Sequence, residues 1–149
     1  MERLPYPDIA PGAVAAIRGI EAYLRGCGLE HDLLELVKTR ASQINGCAFC
    51  LDMHFRAAMR AGERPERLLM LDAWEESSLY TPRERAALAW TETVTRIAET
   101  HAPDAAYEAV RGQFSDKELV DLTTAIGTIN LWNRLAVAFR SRPLGETAR

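Results

Sequence analysis

The sequence has few cysteines, no long apolar runs and little excess charge, and each shortage excludes a class of protein. It contains three cysteines in 149 residues, too few for the disulfide framework that stabilises small secreted domains. No apolar run approaches the roughly 20 residues that a membrane-spanning helix needs. The formal net charge of −3 arises from interspersed acidic and basic residues, which provides no basic surface for nucleic acid. We therefore expect neither a membrane span nor a nucleic-acid partner.

The composition and the first residues favour a globular cytoplasmic protein. Hydrophobic residues make up 48% of the chain and charged residues 26%, values close to the average for soluble proteins. The segment from Met1 to Pro5 lacks the apolar core of a secretory signal peptide. A chain of this length is typical of one domain with one core. We predict a single domain over residues 1–149, with its core at about 14–140, and a cytoplasmic location.

The spacing of apolar residues predicts an all-α fold, since no segment shows strand-like alternation. Apolar residues recur at helical spacing in long segments that begin at proline or end at glycine. Capping boxes at 81–84 and 115–118 mark two helix starts. The proline-rich N-terminal arm is expected to be extended, and the tail at 141–149 is expected to fray. Helices are predicted at about 11–25, 31–44, 47–61, 65–74, 82–100, 104–111 and 116–139.

Two of the cysteines, Cys47 and Cys50, stand at the predicted start of a helix and are followed by His54. Because successive helical residues turn by about 100°, Cys50 and His54 lie about 60° and about 20° around the helix from Cys47. All three therefore share one face, and two thiols one turn apart can form a disulfide with little rearrangement. The first turn of a helix also stabilises negative charge, which lowers the pKa of a thiol and favours the nucleophilic thiolate. This pattern is typical of a redox-active dithiol.

Glu35 is the candidate partner of His54. The Asn-Gly pair at 45–46 predicts a turn between two helices. If these helices fold back antiparallel, Glu35 lies within about one turn of His54. Glu35 also interrupts a run of leucine and valine, which indicates burial. A carboxylate beside an imidazole fixes its tautomer and makes it a better base, so Glu35, His54 and the dithiol could form a proton relay.

This arrangement resembles the active-site signature of the alkylhydroperoxidase D (AhpD)-like proteins in the carboxymuconolactone decarboxylase superfamily. The signature has a glutamate and, twelve residues later, Cys-x-x-Cys-x-x-x-His, here Glu35, Cys47, Cys50 and His54. The segments 36–47, 81–90 and 129–134 are similar to the core of that family as well. The resemblance implies an AhpD-like helical bundle with the Cys-x-x-Cys pair at the N-terminus of a core helix. It also implies assembly into trimers or hexamers.

The activity that the resemblance implies is thiol-dependent reduction of hydroperoxides. Carried over by position, Cys50 is the thiol that attacks the peroxide and Cys47 the thiol that resolves the product into a disulfide. Glu35 and His54 form the relay. The best-known members have a second histidine between the cysteines, where this chain has Phe49, so proton transfer here is expected to be slower or differently routed. We expect a small hydroperoxide and a dithiol or protein reductant as partners, and no bound cofactor or metal.

Other interpretations of the same residues stay open. Two thiolates, an imidazole and a carboxylate could form a four-ligand zinc site, so a non-enzymatic zinc-binding or redox-sensing scaffold is one alternative. A second is a relative of the same fold that acts on another small electrophile, such as a lactone or a carbonyl acid. The decarboxylase members lack the cysteine pair, which argues against decarboxylation. Among the remaining polar residues, Asn130 and Asn133 are expected to cap or to bind across a subunit contact, and Cys27 to pack at a helix end.

Overall fold

Helices joined by short turns make up the computed structural model, which describes residues 2–145. They are α1 Tyr6–Ile9, α2 Pro11–Arg25, α3 His31–Ile44, α4 Ala48–Arg60, α5 Pro65–Leu69, a 3₁₀ turn Met70–Ala73, α6 Pro82–Thr95, α7 Ile97–Thr100, α8 Asp104–Arg111 and α9 Asp116–Phe139. No strand occurs within residues 2–145, so the prediction of an all-α fold is confirmed. None of the helices in this range combines the length and the apolar character that crossing a membrane requires.

The two predicted capping boxes are present and set the starts of α6 and α9. In the first, the Thr81 hydroxyl accepts from the Glu84 backbone N–H at 3.2 Å, and the Glu84 carboxylate accepts from the Thr81 N–H at 2.8 Å. Ser115 and Glu118 form the same reciprocal pair at 3.3 and 2.8 Å. Each box satisfies two backbone N–H groups that a helix start leaves without partners.

The predicted helix boundaries differ from the structure at the N-terminal end of the chain and in α6, whereas the last helix ends at Phe139 as predicted. Residues 6–9 form the short helix α1 where an extended arm was expected, because Pro7 lies in its first turn, where the fixed φ of proline suits a helix. The prediction that the tail frays falls partly on residues 146–149, which lie outside the described range. At Gly145, the last described residue, the backbone N–H donates to the Asp52 carboxylate at 3.0 Å.

The helix predicted over 82–100 is divided into α6 and α7 at Arg96, whose φ of −101° and ψ of 35° are not helical. The residues before the break are Thr91, Thr93, Val94 and Thr95. Their branched side chains lose rotamer freedom in a helix, which weakens it locally. The Thr100 hydroxyl donates to the Thr93 carbonyl at 2.7 Å and so satisfies an acceptor at the end of α6.

Helix α3 lies at the centre of the fold, and every residue from Leu33 to Ser42 is buried. It packs against α4, α6 and α9. Three apolar clusters surround it, one of which includes Ala41, both paired cysteines and Ile129. Because α3 is buried on all sides, its charged side chains need partners inside the protein.

Arg40 shows how one of these polar side chains is accommodated. Its guanidinium Nε donates to Glu92 Oε1 at 2.8 Å, and the Trp74 indole N–H donates to the same oxygen at 2.8 Å. A second guanidinium nitrogen binds Asp72 and Gln43. This cluster ties α3 to α6 and to the segment that follows α5.

We expect the Glu92→Gln substitution to lower the free energy of unfolding by about 2–3 kcal/mol, because it leaves the buried Arg40 without its main counter-charge. Urea unfolding followed by circular dichroism measures this. The control is Glu99→Gln, the same exchange at an exposed position, which should change the free energy by less than about 0.5 kcal/mol. Equal unfolding midpoints for both variants would contradict the proposed importance of the cluster.

Candidate active site

Cys47 and Cys50 lie at the start of α4, as predicted, with Cys47 as the N-terminal cap rather than the first helical residue. The Cys47 sulfur accepts a hydrogen bond from the Cys50 backbone N–H at 3.3 Å. The two sulfurs are joined in a disulfide, with the Cα atoms 5.3 Å apart. Gly46, immediately before the pair, has a φ of +64°, a left-handed conformation that glycine adopts at no steric cost. The chain therefore turns sharply into the cysteine pair.

Asparagine side chains of α9 hold this turn in place. The Asn45 amide donates to Asn130 Oδ1 at 3.0 Å and to Asn133 Oδ1 at 2.9 Å. Asn133 in turn donates to the Ser42 hydroxyl at 3.0 Å. The Cys47 N–H donates to the Ser42 carbonyl, also at 3.0 Å. Asn130 and Asn133 therefore make their contacts within the chain. They hold the turn that leads into the cysteine pair.

Glu35 and His54 are in direct contact, as the hairpin argument predicted. The His54 Nδ1 and the Glu35 Oε2 are 2.9 Å apart, and both side chains are buried. Burial acts to raise the pKa of Glu35, but the hydrogen bond with His54 and the charges of His54 and Lys38 outweigh it, so the pKa lies below its ordinary value. Glu35 is therefore a carboxylate at neutral pH and accepts the Nδ1–H of His54.

The other imidazole nitrogen of His54 is available for chemistry. Nε2 is buried and has no hydrogen-bond partner among the residues that the structure describes. With Nδ1 donating to Glu35, Nε2 of a neutral imidazole carries the lone pair that can accept a proton. His54 lies one helical turn after Cys50 on α4, so its side chain is on the face that carries the thiol.

A cavity of about 490 Å³ lies beside these groups. Its lining includes Cys50 and His54, whereas Cys47 is not among the described residues that line it. Both cysteines are only 1% exposed, so it is the lining of the cavity, and not exposure to solvent, that distinguishes Cys50 from Cys47. The cavity volume lies within the usual range for small-molecule sites, so a small molecule could reach Cys50 first.

The other walls of this cavity were not predicted from the sequence. They come from α1, α2 and α9 and from Lys38 of α3. Lys38 forms an ion pair with Glu21 of α2 at 2.8 Å, and both side chains are largely buried. Arg18, Glu21 and Arg25 share one face of α2, and this polar face is the sequence signal from which that wall could have been predicted.

The four candidate metal ligands do not gather into a metal-binding cluster. Within residues 2–145, no group of three or more histidine, cysteine, aspartate or glutamate side chains is arranged to hold a metal ion. Glu35 instead binds Nδ1 of His54, and the two sulfurs bind each other. The arrangement is that of a dithiol with an adjacent oriented imidazole.

Comparisons with known proteins identify the family to which the chain belongs. The family description "Carboxymuconolactone decarboxylase family" matches residues 11–93. The uncharacterized protein YdfG of Bacillus subtilis is 39% identical over 141 residues, which cover 95% of this chain and 96% of YdfG. The sequence similarity therefore extends over nearly the whole chain.

Solved structures show the same relationship. A protein of unknown function from Agrobacterium tumefaciens, described with a suggested AhpD role in antioxidant defence, has a TM-score of 0.94 and 47% identity. The match covers 98% of this chain and 100% of that one. The debrominase Bmp8 has a TM-score of 0.79 over 93% of this chain and 74% of its own, and at 18% identity it shows a shared fold alone. The chain belongs to the carboxymuconolactone decarboxylase family, as an AhpD-like member with a Cys-x-x-Cys pair.

Proposed function

We propose that the protein is a thiol-dependent hydroperoxide reductase that cycles through the Cys47–Cys50 disulfide. The observation that carries the proposal is the position of Cys50, which lines a cavity beside the oriented His54, whereas Cys47 is not among the described lining residues. The AhpD-like family membership supports the same activity. In this proposal Cys50 and His54 contact the reacting atoms, and Glu35 is a positioning residue.

The first step oxidises Cys50 and reduces the peroxide. His54 Nε2 takes the proton of the Cys50 thiol, and the resulting thiolate attacks the terminal oxygen of the hydroperoxide. The sulfur–oxygen bond forms as the oxygen–oxygen bond breaks, which leaves Cys50 as a sulfenic acid. The alkoxide takes the proton back from His54 and leaves as an alcohol. The sulfur has lost two electrons, and the two oxygens of the peroxide have gained them.

The second step forms the disulfide. The Cys47 sulfur attacks the sulfenic sulfur of Cys50, and the oxygen leaves as water with the Cys47 thiol proton. The Cα separation of 5.3 Å is within the range that a disulfide spans without backbone movement. A dithiol or protein reductant then restores both thiols by exchange and becomes a disulfide itself. A cytoplasmic location, expected from the sequence, would supply such a reductant.

The role of Glu35 follows from its charge. Because its pKa is lowered, Glu35 is a poor proton acceptor at neutral pH. The thiol proton therefore moves only between Cys50 and His54. The carboxylate fixes the Nδ1–H tautomer and stabilises the imidazolium that forms after proton transfer.

Phe49 packs against the cysteine cluster and lines the cavity, where His54 is the one imidazole among the described residues.

The disulfide predicts the outcome of a thiol titration. After treatment with hydroperoxide and denaturation, about one reactive thiol per chain should remain, because Cys27 is the free cysteine of the structure. Titration with a chromogenic disulfide measures this number, and protein reduced beforehand is the control. Recovery of all three thiols after peroxide treatment would contradict a Cys47–Cys50 redox cycle.

The positioning role of Glu35 predicts a change in the pH–rate profile. The Glu35→Gln substitution preserves the shape and a hydrogen-bond acceptor for His54 but removes the negative charge. General-base catalysis contributes about 10²–10⁴-fold, so peroxidase activity at neutral pH should fall at least about tenfold. The loss should shrink as the pH rises through the thiol pKa, because solvent then generates the thiolate without His54. Cys50→Ser should be inactive at every pH.

The measurement is the rate of hydroperoxide reduction from about pH 6 to about pH 9. Because the pKa of Glu35 is lowered in the folded protein, its stabilising contribution is present above its unfolded pKa and is lost only as the pH falls through the lowered value. Glu35 of the wild type therefore keeps its charge throughout this range. Glu99→Gln is the matched surface control, and coinciding profiles for Glu35→Gln and the wild type would rule out the positioning role.

Assembly into trimers or hexamers is a further proposal from the family resemblance. Apolar side chains around α4 and α5 are exposed, among them Phe55 at 45%, Leu69 at 79% and Met70 at 40%. Contact between chains would remove such surface from water. Light scattering at micromolar concentration should give the mass of a trimer or a hexamer, and a strictly monomeric mass would contradict this proposal.

A further inference from the structure

The cavity beside Cys50 is lined by both apolar and basic side chains. The apolar ones include Val14, Phe49, Met53, Trp132 and Ala136, and the basic ones, which form the basic wall, are Arg18, Arg25 and Lys38. The chain as a whole carries a net charge of −3, so a basic wall does not simply reflect the overall charge. Because these basic side chains line the same cavity as Cys50, they are placed to act on the molecules that enter it.

Two of the three basic groups are available to a ligand. Lys38 forms an ion pair at 2.8 Å with Glu21, the acidic residue among the described lining residues, so its positive charge is compensated. The guanidinium groups of Arg18 and Arg25 form no hydrogen bond or ion pair with any side chain of residues 2–145. The wall therefore carries uncompensated positive charge, which attracts an anion.

The arginines and the apolar side chains of the lining together favour an organic carboxylate as the anion. The two arginines lie on one face of α2, seven residues and therefore about 10 Å apart along the helix axis. A guanidinium binds a carboxylate through two parallel hydrogen bonds. The apolar side chains that line the cavity, which include Phe49, Met53 and Trp132, can pack against a hydrocarbon chain.

We propose, building on the proposed function, that the substrate is an organic hydroperoxide that carries a carboxylate on an apolar chain. The carboxylate binds Arg18 or Arg25, the hydrocarbon packs against Phe49 and Trp132, and the peroxide group reaches Cys50. The carboxylate takes no part in the electron transfer, and the product is the corresponding hydroxy acid. Oxidised fatty acids have this chemistry.

A competing role for the same arginines is to stabilise the Cys50 thiolate, since nearby positive charge favours the ionised thiol. That role would accelerate the reaction of every hydroperoxide alike. Recognition of a carboxylate would instead distinguish an acid from its uncharged ester. A binding experiment with an unreactive ligand separates the two roles, because it does not involve the thiolate.

The test is calorimetric titration of the wild-type protein with a medium-chain hydroxy acid and with its methyl ester. The hydroxy acid should bind at least about tenfold more tightly than the ester. In the Arg18→Gln/Arg25→Gln double variant the two dissociation constants should agree within about twofold. The single variants show which arginine contributes more. Added salt should weaken the preference in the wild type, because it screens the charges.

Arg60→Gln is the matched control, since Arg60 is exposed and does not line the cavity, and it should retain the wild-type preference. Equal binding of acid and ester, binding of neither, or a preference that persists in the double variant would each overturn the inference. A different result would contradict the proposed function. If the hydroxy acid binds selectively but the corresponding hydroperoxy acid is not reduced, the carboxylate site is supported and the peroxidase activity is contradicted.

Discussion

Glu35 is a charged side chain within a helix that is buried on all sides, and a buried carboxylate is tolerated only with a partner. His54 of α4 is that partner, at 2.9 Å. One hydrogen bond therefore links the central helix to the helix that carries the cysteines. Because His54 and Cys50 are one turn apart on α4, the rotation of α4 that brings the imidazole to Glu35 also directs Cys50 to the cavity. The carboxylate thus determines the geometry of the site as well as its electrostatics.

The turn before the cysteines adds a second restraint. The amide network of Asn45, Asn130 and Asn133 binds this turn to α9, and the capping of α4 by the Cys47 sulfur uses the reactive group as a structural element. Hydrogen bonds of this kind hold a site more firmly than apolar packing alone, because each group has few acceptable partners. In the proposed redox cycle, this preorganisation allows the disulfide to open and close with little movement of the backbone.

The fold itself does not select the reaction. The debrominase Bmp8 shares this fold at 18% identity, and function depends on the side chains that a fold presents rather than on the fold. In this chain those side chains are a pair of bonded cysteines, an oriented imidazole, and the apolar and basic residues that line a cavity. The cysteine pair and the imidazole are the basis of the proposed peroxidase, and the basic residues of the cavity are the basis of the proposed carboxylate site.

The parts of the structure that were predictable from sequence are those with local signals. The two capping boxes, the helix that starts beside Cys47 and the proximity of Glu35 to His54 follow from short spacings and one helical hairpin. The break at Arg96 was missed because the propensities of branched residues act cumulatively and leave no sharp stop signal. The cavity walls were missed because α1, α2 and α9 are brought to Cys50 by contacts distant in sequence, such as the ion pair of Glu21 with Lys38.

The central claim is that Cys50 attacks the peroxide and Cys47 resolves the product. Mass spectrometry of two reduced variants, each given one equivalent of hydroperoxide, tests it most directly. In Cys47→Ser the sulfenic acid has no resolving thiol, so Cys50 should gain one oxygen, which a sulfenic-acid reagent traps, with one equivalent of alcohol released. In Cys50→Ser, Cys47 should stay unmodified and the hydroperoxide should remain. Rapid oxidation of Cys47 in Cys50→Ser, or no added oxygen in Cys47→Ser, would contradict the account.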